Sequence, residues 1–249
     1  MSIQQENFKQ IANAIREKTN STDSIKPSEF AVKVDEVFEA GKKAQYDSFW
    51  DGYQINGTRN YYAYAFAGQG WGNTFYPKYN IVPTNTCNGL FREVGYINLR
   101  KRLLECGVTL DTSNVTSLTY SFAYGSITEL PKIDCSNVGT LDSIFRDEKL
   151  LTLIEELVVT EKLKYTNPFY NCIKLKDITI TGVIGESFDI HFSPLTKASI
   201  TSIINALSSN ASGKVVTFNK TAKEAAFTDA EWASLVSTKT NWTIALAEV

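Results

Sequence analysis

Asp111-Thr112-Ser113-Asn114-Val115-Thr116-Ser117-Leu118, followed by Phe122, returns as Asp134-Cys135-Ser136-Asn137-Val138-Gly139-Thr140-Leu141, followed by Phe145. Asp, Ser-Asn-Val, Leu and Phe all recur at one offset (134 − 111 = 23). An apolar residue precedes each Asp, Leu110 in one copy and Ile133 in the other. A unit this short cannot bury its apolar face alone, so neighbouring copies must stack. The stretch predicts short strands around Leu110-Asp111 and Ile133-Asp134 that add to a parallel sheet. Leu118, Leu141, Phe122 and Phe145 are expected to point inward from the return segments. Asn114 and Asn137 have two readings. They are either inward amides that bond the backbone of adjacent turns, or turn formers facing solvent.

A fixed offset of about 20–29 residues carrying this Leu/Asn pattern is the signature of a leucine-rich-repeat solenoid. Working outward, Cys87 to Leu104 reads as a degenerate first turn, with Leu90-Phe91 in the Leu-and-Phe role. Beyond the two clear copies the spacing drifts. Leu153-Ile154 leads to Leu157-Val158-Val159, and Asn171-Cys172-Ile173-Lys174-Leu175 leads to Ile178-Thr179-Ile180. Phe188-Asp189-Ile190 is the expected last ladder strand. After it, Ile200, Ile203, Ile204 and Leu207 form a helical stripe, and Val215-Val216-Thr217-Phe218 reads as a strand. Thr228-Asp229-Ala230-Glu231 is a capping box that starts a helix through Leu235. Trp242 to Leu246 closes as an alternating strand.

The N-terminal part carries different signals. Phe8, Ile11, Ala12 and Ile15 share one face of a helix over residues 5–18, and Pro27 opens a second with Phe30, Val34, Val37 and Phe38 as its stripe. Two such helices need a surface to cover or partner copies to pack on. Residues 46–83 then hold twelve aromatics in 38 residues, interleaved with Gly, Asn and Asp. Such mixtures serve either as adaptable recognition surface or as core. Trp50, Tyr53, Tyr61, Tyr62, Tyr64, Trp71 and Tyr76 are the candidate binding residues on the first reading. The expected fold class is α+β, a short leucine-rich-repeat solenoid with an N-terminal two-helix arm and a C-terminal αβαβ cap. Its expected domains are the arm at 1–44, for attachment or oligomerisation, an aromatic, Gly-rich connection at 45–86, the solenoid at 87–192 and the cap at 193–249.

Composition narrows function by exclusion. The net charge of −2 carries no basic footprint for nucleic acid. No apolar run is long enough to insert in a membrane, and the polar start lacks the layout of a secretion signal. The four cysteines are irregularly spaced and there is one histidine, so zinc templates fail. Cys135 fills the slot of Thr112 in the preceding copy, which reads as a small buried free thiol. His191 has no orienting partner evident in the sequence. Glu155-Glu156 and Asp147-Glu148 are adjacent pairs, which on strands face opposite ways and make no carboxylate dyad. Gly68 to Gly72 lacks the Lys-Ser/Thr ending of a phosphate loop. The reading is non-enzymatic, with no catalytic residues, cofactor or metal.

The copies at Ser113–Leu118 and Ser136–Leu141 resemble the BspA-like leucine-rich repeats of bacterial surface proteins, over about Cys87 to Ile190. Ile11-Ala12-Asn13-Ala14-Ile15-Arg16-Glu17-Lys18-Thr19, followed by Ile25-Lys26-Pro27-Ser28-Glu29-Phe30-Ala31, resembles the N-terminal arm of structural proteins from tailed phages and prophages of gut Firmicutes. Ser193-Pro194-Leu195 through Trp242-Thr243-Ile244 is similar to the end cap of such proteins. The resemblance implies a virion component in a tail fibre, baseplate or head fibre. It further implies a homo-oligomer, taken as a trimer, whose arm binds other virion proteins and whose repeats meet a host-surface glycan or protein. The alternative is a bacterial or prophage-encoded surface adhesin that binds glycan or protein.

Overall fold

A computed structural model describes residues 66, 68, 75–77 and 80–249. The chain divides into two compact units, Met1–Asn56 and Gly57–Val249, and the architecture below is that of the second. The two expected arm helices lie outside the described residues, as do Trp50, Tyr53, Tyr61, Tyr62, Tyr64 and Trp71.

Along the chain come β1 (Asn85–Thr86), β2 (Ile97–Asn98), α1 (Leu99–Cys106), β3 (Val115–Ser117), β4 (Ile127–Leu130) and β5 (Ile133–Asp134). They are followed by β6 (Thr140–Asp142), β7 (Leu153–Val159), β8 (Lys164–Thr166), β9 (Asp177–Gly182) and β10 (Phe188–Asp189). The last part holds α2 (Lys197–Ala206), β11 (Lys214–Asn219), α3 (Lys220–Ala226), α4 (Asp229–Val236) and β12 (Trp242–Ala247). The fold is mixed α/β with several parallel sheets.

Every strand pairing among the described residues is parallel. Parallel neighbours require a long return between them, and here the return sets a regular step. Glu129 pairs with Leu153 and Leu153 with Asp177, and in the second sheet Thr140 pairs with Lys164, each a step of 24. Ile133 pairs with Leu157 in the expected strand, whereas no strand forms at Leu110-Asp111, where Leu110 makes an isolated parallel bridge with Ile81. The largest sheet runs β2-β4-β7, with β5 and β9 also on β7. Strands β4 and β5 lie end to end along β7. Pro131 separates them, because proline has no N–H to give to a ladder.

Inside these rows the rings stack. Phe66 lies on Phe91 at 4.8 Å, Phe91 on Phe122 at 5.6 Å, Phe122 on Phe145 at 5.9 Å and Phe145 on Phe169 at 5.5 Å, all near parallel. Leu118, Leu141, Phe122 and Phe145 are wholly buried, as the repeated stretch predicts. Each buried side chain of this size contributes about 1.5–3 kcal/mol. Leu90 and Phe91 are buried too, in the places foreseen for the degenerate first turn. The column begins before residue 87, since Phe66 N–H donates to Leu90 O at 2.9 Å and Phe66 is buried.

A second regularity frames each ring. Two residues before the phenylalanine, Gly89, Tyr120, Ser143 and Asn167 all have φ between 49° and 65°. Two residues after it, Gly68, Glu93, Tyr124, Asp147 and Asn171 have φ between 58° and 66°. The chain thus turns a corner on either side of Phe91, Phe122, Phe145 and Phe169. Between the corners, N–H groups bond the next row, as from Phe122 to Ile144 O (2.9 Å) and from Phe145 to Pro168 O (3.0 Å).

Two expectations are corrected at the C-terminal side. Phe188-Asp189-Ile190 is not the last ladder strand, because β10 pairs with β11 and β11 with β12. Beyond β9 the next row is occupied by a helix, α2. Ser199 and Ser202 of α2 accept, through their hydroxyls, the N–H groups of Ile178 and Ile180 at 2.9 Å each. The serines stand one helical turn apart, so they match alternate residues of the strand edge, which would otherwise need pairing or cover. The expected helix–strand–helix–strand order is present with one addition. Asn219 caps a further helix, α3, by accepting from Ala222 N–H at 2.8 Å. The capping box of Thr228 and Glu231 starts α4 as read. An unforeseen helix, α1, starts at an Asn98 cap and stops at Gly107, whose φ of 65° suits glycine.

Candidate functional site

The recurring aspartates have a local task. Asp111 Oδ1 accepts from Ser113 N–H at 3.0 Å and Asp134 Oδ1 from Ser136 N–H at 2.9 Å. These Asx turns reverse the chain after each short strand. The hydroxyl and amide of Ser113 hold the Asp111 carboxyl below its usual range. Asn114 and Asn137 are both exposed, so the inward reading fails for both. Asn137 still links neighbours, donating from outside to Ser113 O at 2.6 Å. The buried rung is Thr112, whose hydroxyl donates to Asp134 O (2.9 Å) and accepts from Asp134 N–H (2.8 Å). Cys135, in the equivalent slot, is buried and free, as is Cys172, whereas Cys87 is buried with its thiol donating to Thr84 O at 3.4 Å and Cys106 is half-buried.

Glu148 was not foreseen as special, yet it is fully buried. Its Oε1 accepts from Gly125 N–H at 2.7 Å and its Oε2 from Ile127 N–H at 2.9 Å. Burial pushes its pKa up to about 8, against the opposing pull of those two N–H groups. The two acidic pairs part for different reasons, since Asp147 and Glu148 lie at a turn and only Glu155 and Glu156 lie on a strand, β7. Asp147 and Glu148 face different surroundings, Asp147 lying 3.4 Å from Arg146 at the surface. Glu155 and Glu156 likewise part, to Arg100 at 3.0 Å and to Lys132 at 3.2 Å.

His191 does have an orienting partner, two residues upstream. Its Nδ1 lies 2.6 Å from Asp189 Oδ1, and the same oxygen accepts from His191 N–H at 3.0 Å. This is a third Asx turn, at the position of the two Asp-Ser turns only in its local form. The ring also packs on Phe192 at 4.1 Å. A general base needs a nucleophile within reach as well, and the carboxylate here serves the turn.

Of the aromatic candidates, Tyr76 alone is described. It is 49% exposed, with the Arg102 guanidinium 4.1 Å above its ring. A larger aromatic surface lies elsewhere, beside the phenylalanine column. Arg92 sits over the rings of Tyr120 (5.7 Å) and Tyr124 (5.2 Å), which stack on each other at 5.8 Å. On the following rows Arg146 sits over Tyr170 at 4.7 Å, and Tyr170 meets Phe192 edge-on at 4.9 Å. The sequence carries a signal for this edge that a search for identical residues misses. Apart from Phe192, every member stands one or two residues from a column ring, on consecutive rows.

Among the described residues no helix is long and apolar enough to cross a membrane, and no group of three or more His, Cys, Asp or Glu is placed to hold a metal ion. Set against models of protein families, curated proteins and solved structures, the chain has no match.

Proposed function

We propose that the chain is a non-enzymatic virion structural protein, of a tail fibre, baseplate or head fibre, that displays a leucine-rich-repeat solenoid for contact with a host surface or a neighbouring virion protein. The observation that carries the solenoid reading is the phenylalanine column, flanked by left-handed corners and bonded in register from row to row. Stacked rows of this kind are rigid along one axis and offer a long side surface, which suits display. The arm and end-cap resemblances support the virion assignment. Residues 1–44 would then join copies into a closed trimer and attach them to other virion proteins, closed cyclic symmetry being the usual outcome of self-association.

Antibody labelling of particles from an induced culture tests the assignment, with gold expected at one fixed virion position. Unlabelled particles beside labelled cell surfaces would sink it in favour of the bacterial or prophage adhesin. Light scattering tests assembly. The full chain should be oligomeric, and the chain lacking residues 1–44 folded and monomeric.

A further inference from the structure

The Arg–Tyr edge is built at a cost. Tyr120 and Tyr124 adopt φ of 55° and 63°, a conformation that bulky side chains rarely take. Equivalent corners on other rows use Gly89, Ser143 and Asn167, or Gly68, Glu93, Asp147 and Asn171, and the glycines, asparagines and aspartate among them fold the same turn with less strain. The turn itself therefore gives no reason for tyrosine there, and an observed backbone outlier of this kind points to function. Tyr124 and Tyr170 are 38% and 39% exposed, so ring surface remains open after the arginines are placed.

The charges of the edge cancel. Arg92 pairs with Glu93 at 3.0 Å and Arg146 with Asp147 at 3.4 Å. An anionic chain would meet Glu93 and Asp147, and a cationic one Arg92 and Arg146. A neutral chain of hydroxyl groups finds donors and acceptors side by side, with aromatic faces for its C–H surfaces. The two exposed rings are spaced along the stack, Tyr124 two residues after Phe122 and Tyr170 one after Phe169. Tyr124 and Tyr170 belong to rows two apart, a separation of ~10 Å at ~4.8 Å per row. That is about the span of two pyranose units in an extended β-linked chain, where alternate sugars present the same face.

We propose that this edge, from Arg92 to Phe192, is a binding strip for an extended, neutral, β-linked oligosaccharide. The chain lies across the rows, its alternate sugars on Tyr124 and Tyr170 and its hydroxyls on the Arg92–Glu93 and Arg146–Asp147 pairs. The inference rests on the display reading above and names the ligand class that such a display would take.

Titration calorimetry of the full chain with cellohexaose and with the hexamer of N-acetylglucosamine tests it. At least one should bind, equally well in low and high salt, and maltohexaose, which is curved, should bind at least tenfold more weakly. The double variant Tyr124→Asn/Tyr170→Ser should lose at least tenfold in affinity with its melting temperature unchanged, since asparagine tolerates the corner at residue 124. If that variant melts early, Arg146→Gln, which leaves the corners alone, takes its place with the same expected loss. Silence towards both β-linked hexamers overturns the proposal, as does binding that survives the ring removal. So does equal binding of maltohexaose, or tighter, salt-sensitive binding of an anionic oligogalacturonate. Labelled virions with a silent strip would discard the glycan and keep the virion assignment. A binding strip on unlabelled virions would do the reverse.

Discussion

Replacing Glu148 by glutamine should change the direction in which stability responds to pH. The carboxyl is fully buried, and burial raises its pKa from 4.5 to about 8. Between those values the folded chain holds a proton there that the unfolded chain has released. Stability contributed by this group is therefore complete below about pH 4.5 and is lost as pH rises towards 8. The gap from 4.5 to about 8, at ~1.36 kcal/mol per pH unit, amounts to about 5 kcal/mol. Glutamine keeps the shape without titrating, but it turns an NH2 towards one of the two N–H groups of Gly125 and Ile127. That mismatch costs about 1–3 kcal/mol at every pH. Urea unfolding of both proteins at pH 5, 6, 7 and 8 then gives a difference in which all other titrations cancel. The neighbouring Cys172 thiol is held well above the ordinary range by burial, so it stays protonated throughout. The wild type should lead at pH 5 and fall behind the variant by pH 8. A lead that stays constant, or that grows with pH, refutes the reasoning. It would mean that the two N–H groups outweigh burial and hold an ionised carboxylate.

Three other perturbations probe the rows. Leu141→Ala and Leu118→Ala should each cost about 2–5 kcal/mol in urea unfolding, because both side chains are wholly buried between rows; a loss under about 0.5 kcal/mol at both would break the 23-residue register. Ser202→Ala should cost about 1–3 kcal/mol and speed amide exchange at Ile180, whose N–H it leaves without a partner. Tyr165→Phe should be neutral or stabilise by up to about 1 kcal/mol, since the Tyr165 hydroxyl is buried with no hydrogen-bond partner; a clear loss of melting temperature would show a bond there.

What could be read from the sequence was whatever depends on residue identity. Leu118 and Leu141, and Phe122 and Phe145, fill the same interior slot on consecutive rows, so the same side chain recurs and the offset is visible. Phe91 and Phe169 belong to the same column, but Phe91 keeps only the Phe-Arg-acid run of Phe145, and at Phe169 only the ring survives. The amides were harder. Asn114 and Asn137 recur because they suit an exposed turn, whereas the buried rung went to Thr112, which its successor Cys135 disguises. The serine edge of α2 was hidden for another reason. Ser199 and Ser202 break the isoleucine stripe only mildly, and their use depends on a strand edge that no local pattern reveals.

The corners show why the candidate site lay outside sequence reading. A left-handed corner is a constraint on backbone, and Gly, Asn and Asp all meet it more easily than tyrosine does. Across rows the corner therefore varies in residue while holding its conformation, and alignment of identities dissolves there. Yet the same constraint makes the exceptions informative. At an unconstrained surface position a tyrosine carries no message, because aromatic side chains are often half exposed. At a corner where Gly89, Ser143 and Asn167 suffice, Tyr120 must be held by something beyond the turn. Within the chain that something is the stack with Tyr124 under Arg92, and a stack of that kind offsets part of the strain by cation–π attraction. The stack alone would be satisfied by rings turned wholly onto the protein. That Tyr124 keeps over a third of its surface open is what moves the argument from packing to recognition.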